Sequence, residues 1–170
     1  MKPVGAFLWA CAVALLLRST AVSSLAARGL VIDVLALATV LWSLRQGDAW
    51  GASFGFLLGI VADLDAAHWL GRHALLLTLL GYAVGRLSGT LVRDSARTQF
   101  ALIAVGTLVH QLWASAFELG GSLDALPYVA GRSLLATAVT AGAGTLILIF
   151  ARRLTGRPLF GHASRTASSD

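Results

Sequence analysis

Apolar residues fall along the chain in six continuous runs, separated by short polar stretches. They cover Val4 to Leu17, closed by Arg18; Leu30 to Leu44, carrying Asp33; Trp50 to Ala62, followed by Asp63; Ala74 to Val92; Phe100 to Leu119; and Val129 to Phe150. Runs this long that do not alternate predict helices in an apolar surround, not strands with one wet face. A spanning helix takes roughly 20 residues, so six of them use about 120 positions and leave about 50 for connections and tails. The second and third runs are near or below that length. Glycine and polar ends extend both, and neighbouring helices can shelter such ends. The connections agree: Arg45-Gln46-Gly47-Asp48, the stretch Arg93 to Arg97 and the segment after Arg152 are polar and short. Gly120 to Pro127 is rich in turn residues and suits a loop before a sixth helix. His162 to Asp170, rich in Ser, Thr and Ala, reads as a disordered end. The organisation expected is one six-helix transmembrane domain over 1–157 and a cytoplasmic tail over 158–170.

Composition narrows the class. The 170 residues are 57% hydrophobic and 12% charged, with mean hydropathy +0.79, against roughly 25% charged for a soluble domain. So few charges cannot cover a water-facing surface. That excludes an ordinary soluble enzyme, a disordered chain and a coiled coil, and the unbroken runs argue against a membrane β-barrel. The expectation is an all-α membrane protein with six transmembrane helices. Cys11 is the lone cysteine, so there is no internal disulfide and no thiolate metal site.

The formal net charge is +5, but Lys2 is the one lysine and the arginines are scattered between apolar runs. That pattern reads as membrane topology and not as a nucleic-acid surface. Threading six spans puts Lys2, Arg45, Arg86, Arg93, Arg97, Arg152, Arg153, Arg157 and Arg165 on one side. Arg18, Arg28, Arg72 and Arg132 fall on the other. The richer side is cytoplasmic, so both termini are expected there. Trp42 and Trp50 then lie near the inner interface, and Trp69 and Tyr128 near the outer one. Lys2, the first apolar run and Ser24-Leu25-Ala26 also resemble a secretory signal. Cleavage would strand the charges of the second helix, so the first run is read as a retained span.

Two features could carry function. Gly51, Gly55 and Gly59 are spaced by four, a series that Asp63 continues, and Gly81, Gly85 and Gly89 repeat the spacing on the next helix. Residues four apart share a helix face, so each ladder is a groove without side chains where another backbone can approach closely. The ladders either pack the third and fourth helices together or receive a partner's helix. The second feature is a set of ionisable groups near the outer end of each helix: Arg18, Asp33, Asp63, Arg72 with His73, Glu118 and Arg132. Such groups are costly in hydrocarbon unless paired or facing a cavity. They predict an outward polar pocket with Asp63 at its floor, roughly 18 Å along the helix from Gly51; the alternative is that each sits separately among headgroups. His110, mid-run with Glu118 two turns later, is either a packing residue or part of a proton or ion relay. No metal motif, cofactor fingerprint or nucleophile with its base is present.

The stretches Gly51 to Leu64 and Leu70 to Leu87 resemble the rod shape-determining protein family MreD. The resemblance rests on Gly55, Phe56, Gly59 and Asp63, then Leu70 and Gly71, then Gly81 and Tyr82. Ile60 stands where the family often has leucine, and no proline opens the second helix near Leu30. The resemblance implies a fold like the S components of energy-coupling-factor vitamin transporters. It also implies a non-enzymatic inner-membrane member of the bacterial elongation machinery, bound to MreC. MreB, RodA and a class-B penicillin-binding transpeptidase would act beside it in peptidoglycan synthesis, with no cofactor. A vitamin-transporter binding subunit is the alternative, and a lipid-modifying enzyme a weaker third.

Overall fold

A computed structural model describes residues 3–22, 32–66, 70–90, 95–118 and 126–155. Six α-helices occupy them: α1 (Pro3–Leu17), running on into a π-helical segment (Arg18–Val22), α2 (Val34–Gln46), α3 (Asp48–Ala66), α4 (Arg72–Leu87), α5 (Ala96–Glu118) and α6 (Leu126–Thr155). Each matches one of the six apolar runs, with ends displaced by a few residues. The Ser24–Ala26 site, Arg28, Trp69, Arg93, most of the 120–127 loop and the 158–170 tail lie outside the described residues.

The largest displacement is at α2. The apolar run begins at Leu30, yet the helix begins at Val34, because Asp33 is its N-cap. The Asp33 carboxylate accepts a hydrogen bond from the Ala36 N–H at 3.0 Å, satisfying one of the donors that a helix start leaves open. At the other end Gly47 has φ 89° and donates its N–H to Ser43 O at 2.9 Å. That left-handed conformation costs glycine little, and it turns the chain from α2 into α3 in one residue.

α2 is the centre of the bundle and touches each of the other five helices. Ala36, Thr39, Val40, Ser43 and Leu44 are fully buried along it. This explains how a helix of 13 residues, about 20 Å long, can exist in a bundle of longer ones: neighbours cover its ends. One core cluster joins Phe7, Cys11 and Ala14 of α1 to Leu35, Phe54, Leu58 and Leu77, and a second joins Val40, Leu44, Val84, Ile103, Ala141 and Leu148. In the first, Phe54 stacks on Trp42 at 4.9 Å between ring centroids and meets Phe7 edge-on at 5.7 Å. Phe54→Ala removes the ring that links three helices. It is expected to cost about 3 kcal/mol, read as a lower Tm in detergent.

α3 and α4 form the tightest pair. An added Cβ on Gly51 would lie 2.6 Å from Gly81 O, and one on Gly55, Gly59 or Gly85 would fall within 3.0 Å of the backbone at Leu77, Ala74 and Asp48 respectively. Gly81 faces Gly51 in return. Five of the six ladder glycines are therefore one seam, each ladder filling the other. Gly89 is apart: it lies past α4, and an added Cβ there meets only Arg86 O at 3.6 Å.

Large apolar side chains face outward, and polar ones lie buried beside the apolar core. Trp9, Leu134, Leu146, Ile147, Phe150 and Leu154 are exposed, while Asp33, Asp63, His73, Gln99, Thr107, His110, Ser133 and Thr140 are buried. Water would penalise that distribution, whereas lipid favours it. By length and composition, α5 over Ala96–Phe117 and α6 over Leu126–Ala151 qualify as spans, with mean hydropathies of 1.5 and 2.1. The helices at Val4–Thr20 and Val34–Gln46 are apolar but shorter. α4 has 16 residues, and α3 carries Asp48, Asp63 and Asp65.

Candidate functional site

Of the polar residues expected at the outer helix ends, Asp33, Asp63, Arg72 and His73 lie around two carboxylate–imidazole pairs. The first pair begins as a helix cap. Gly71, at φ 96°, precedes α4 and has no side chain to cap it. The acceptor comes instead from α3. Asp63 Oδ2 accepts from Gly71 N–H at 2.9 Å and Ala74 N–H at 3.0 Å, and Oδ1 accepts from His73 N–H at 3.1 Å. Three orphan amides at a helix start are thus met by one carboxylate, whose negative charge also suits the positive end of the α4 dipole.

Asp63 holds a fourth donor, His73 Nδ1, at 2.8 Å. Arg72 Nε lies 3.3 Å from the same nitrogen, and one ring nitrogen cannot donate to the carboxylate and accept from the guanidinium together. The shorter contact decides the matter: a carboxylate only accepts, so Nδ1 carries the proton and points it at Asp63. Arg72 itself is held through its backbone, whose carbonyl accepts from Trp113 Nε1 at 3.1 Å.

The second pair joins elements far apart in sequence. Asp33, while capping α2 with Oδ1, takes His110 Nδ1 and Gln111 Nε2 on Oδ2, the latter at 3.3 Å. Its backbone N–H donates to Thr140 Oγ1 at 3.0 Å, so one residue ties α2 to both α5 and α6. His110 Nδ1 carries its proton for the same reason as His73. His110 Nε2, on the other side of the ring, is buried and without a hydrogen-bond partner. The two imidazoles sit 5.4 Å apart between centroids, tilted by 56°. A cavity of about 190 Å³ opens beside them, lined by Arg18, Asp33, His73, His110 and Gln111 with four apolar neighbours.

The structure rearranges the predicted pocket. Asp33 and His73 line the cavity; Asp63 is not at its floor but behind His73, spent on capping. Arg72 does not line it. Arg132 is exposed on the first turns of α6 and does not line the cavity. Glu118 ends α5, and its side chain lies outside the described residues. His110 pairs with Asp33. Gln111, Thr140 and Trp113 were not predicted; their types carry no signal until the helices are arranged side by side. Among the described residues no group of three His, Cys, Asp or Glu side chains is placed to hold a metal ion.

A family model for the rod shape-determining protein MreD matches residues 3–121, well over half of the chain and all of α1 to α5. The chain belongs to the MreD family. No curated protein and no solved structure matches it. As an MreD protein it is a membrane protein of the cell-shape system, and the residues that carried the resemblance now have physical roles. Gly55, Gly59 and Gly81 are seam positions, Asp63 caps α4, and Gly71 takes the left-handed turn that lets Asp63 reach the amides. Phe56 and Tyr82 are about half exposed, at 47% and 48%, on the outer surface of the same MreD hairpin.

Proposed function

We propose that this MreD protein is a non-enzymatic scaffold of the bacterial elongation machinery in the inner membrane. It spans the bilayer six times with both termini cytoplasmic, and it influences cell shape and peptidoglycan synthesis by helix–helix association with MreC. MreB, RodA and a class-B penicillin-binding transpeptidase act alongside it. The family match over α1 to α5 is the observation that carries this reading. The apolar exterior supports it, and so does the alternation of helix ends: Arg18, Asp33, Asp63, His73 and His110 meet at one end, while Asp48 and Arg86 approach to 4.0 Å at the other.

The packing favours one docking mode for a partner helix. The α3–α4 glycine seam is already filled by its own two helices, so MreC would bind an outer, lipid-facing surface of the folded bundle. A small-molecule transporter subunit is less well supported, since the family match is to MreD. Affinity purification from native membranes in mild detergent tests the proposal. MreC is expected to co-purify; recovery with an ATPase module and a bound vitamin, and without MreC, would sink it.

A further inference from the structure

Three basic side chains stand in a row at the polar end of the bundle. Arg72 Nε is 3.3 Å from His73 Nδ1, and the His73 ring is 5.4 Å from that of His110 between centroids. Each ring meets one carboxylate, Asp63 for His73 and Asp33 for His110. Arg72 has no carboxylate at ion-pair distance among the described residues. The elements packed around the row add few charges. Arg18, from the π-helical segment, lines the cavity beside both rings. It meets Asp65 of α3 at 3.7 Å, and that side chain is 76% exposed, so water screens the pair. α5 and α6 bring Gln111 and Thr140 to Asp33, and both are uncharged.

With both imidazoles neutral, the buried carboxylates Asp33 and Asp63 are matched by Arg18 and Arg72. Nδ1 of each ring already carries a proton toward its carboxylate, so a further proton goes to Nε2. At His110 that proton would be a buried donor without an acceptor, because Nε2 is buried and has no partner. The His73 side chain is 10% exposed and lines the cavity, so water can deliver a proton there. The new charge then lies between Arg72 and His110. Protonating both rings leaves the cluster with an excess of positive charge away from water, where like charges repel several-fold more strongly than in solution.

We propose that the His73–His110 contact is an acid-sensitive latch between α4 and α5. At neutral pH it is closed: Asp33 holds His110 and Gln111 of α5, and Trp113 of α5 donates to the Arg72 carbonyl of α4. In acid, imidazolium beside guanidinium and imidazolium pushes α5 from α4 at this end. The α3–α4 glycine seam, whose contacts are backbone to backbone, stays closed. An unfolded histidine takes up its proton below about pH 6.5. A folded state that refuses such a proton keeps its stability above that value and loses it as pH falls through it. At about pH 5.5 each refused proton raises the unfolding constant about tenfold. The latch needs only the folded bundle and stands whether or not MreC is the partner.

The test compares the full chain in detergent at about pH 7.5 and about pH 5.5, on either side of the histidine range. The wild-type Tm is expected to fall in acid. H73N and H110N each keep an amide N–H near the place of Nδ1, so the carboxylate keeps a donor while the further proton has nowhere to bind. Each is expected to shrink the acid-induced fall, and H73N/H110N to abolish it. Every variant is its own reference across pH, so the comparison holds even where one is less stable at neutral pH. Spin labels at Leu75 of α4 and Leu112 of α5, both about half exposed, on a Cys11→Ala background, report the opening. Their separation is expected to lengthen in acid and to hold when H73N is added. A wild-type Tm that stays level or rises in acid overturns the proposal. An equal fall in H73N/H110N assigns the response to other groups and overturns it too. A fall in Tm with unchanged label separation overturns the latch at the α4–α5 joint.

Discussion

Asp63→Ala should be the most damaging single polar substitution in the protein. The carboxylate is 1% exposed and receives four hydrogen bonds, three from the backbone amides of Gly71, His73 and Ala74 and one from His73 Nδ1. Alanine leaves those donors unmet at the start of α4, where lipid and protein offer no replacement. At about 1–3 kcal/mol for each buried unmet donor, the loss is on the order of 4 kcal/mol. Asp63→Asn is milder, because one amide oxygen still accepts, but it loses the charge that faces the helix dipole and adds donors where there are already too many. His73→Ala is milder again, since it removes one donor and leaves the cap intact. The expected order of Tm in detergent is wild type, His73→Ala, Asp63→Asn, Asp63→Ala. Equal Tm values for His73→Ala and Asp63→Ala would mean that the His–Asp pair, and not the cap, holds the hairpin together.

That assignment shows what hydropathy reveals and what it leaves hidden. Threading the chain through a membrane assigns each residue a height along the bilayer normal, and in the structure Arg18, Asp33, Asp63 and His73 lie near one another. Height says nothing about position around the bundle. Arg132 has the same height, yet it faces outward on α6, while His110 meets Asp33 across 77 residues of sequence. No periodicity in α5 marks α2 as its neighbour. The start of α2 was obscured for a local reason. Asp33 is a good N-cap type, but Leu30, Val31 and Ile32 before it make it look like a charge inside a span. The glycine ladders were plain from their spacing of four, whereas the surface that fills them is a tertiary fact. Each ladder presents the same bare face to an outside helix as to its sister.

The seam can be told from a partner groove by a substitution smaller than any usually made at an interface. Gly55→Ala adds one methyl, and its Cβ would fall within 3.0 Å of the Leu77 backbone. Backbone atoms of a packed helix cannot swing aside as a flexible side chain can. α4 must move away from α3 along its whole length, loosening Gly51 against Gly81 and Gly59 against Ala74. In lipid no hydrophobic force drives the helices back together, since the tails are as apolar as the side chains, so close packing is the chief attraction lost. The expected cost is roughly 2–3 kcal/mol, in the range of overpacked cores, with Gly55→Leu abolishing the folded state. Gly142→Ala is the control: its Cβ would meet nothing within 4 Å, and alanine is the better helix former by about 1 kcal/mol, so Tm should hold or rise. The decisive condition is the absence of MreC. A seam substitution lowers the Tm of the isolated protein, because the contact it breaks is internal. A docking-groove substitution would leave that Tm unchanged and weaken only co-purification with MreC. Isolated Gly55→Ala melting at the wild-type temperature would therefore return the ladder to the partner and remove the argument that MreC binds elsewhere.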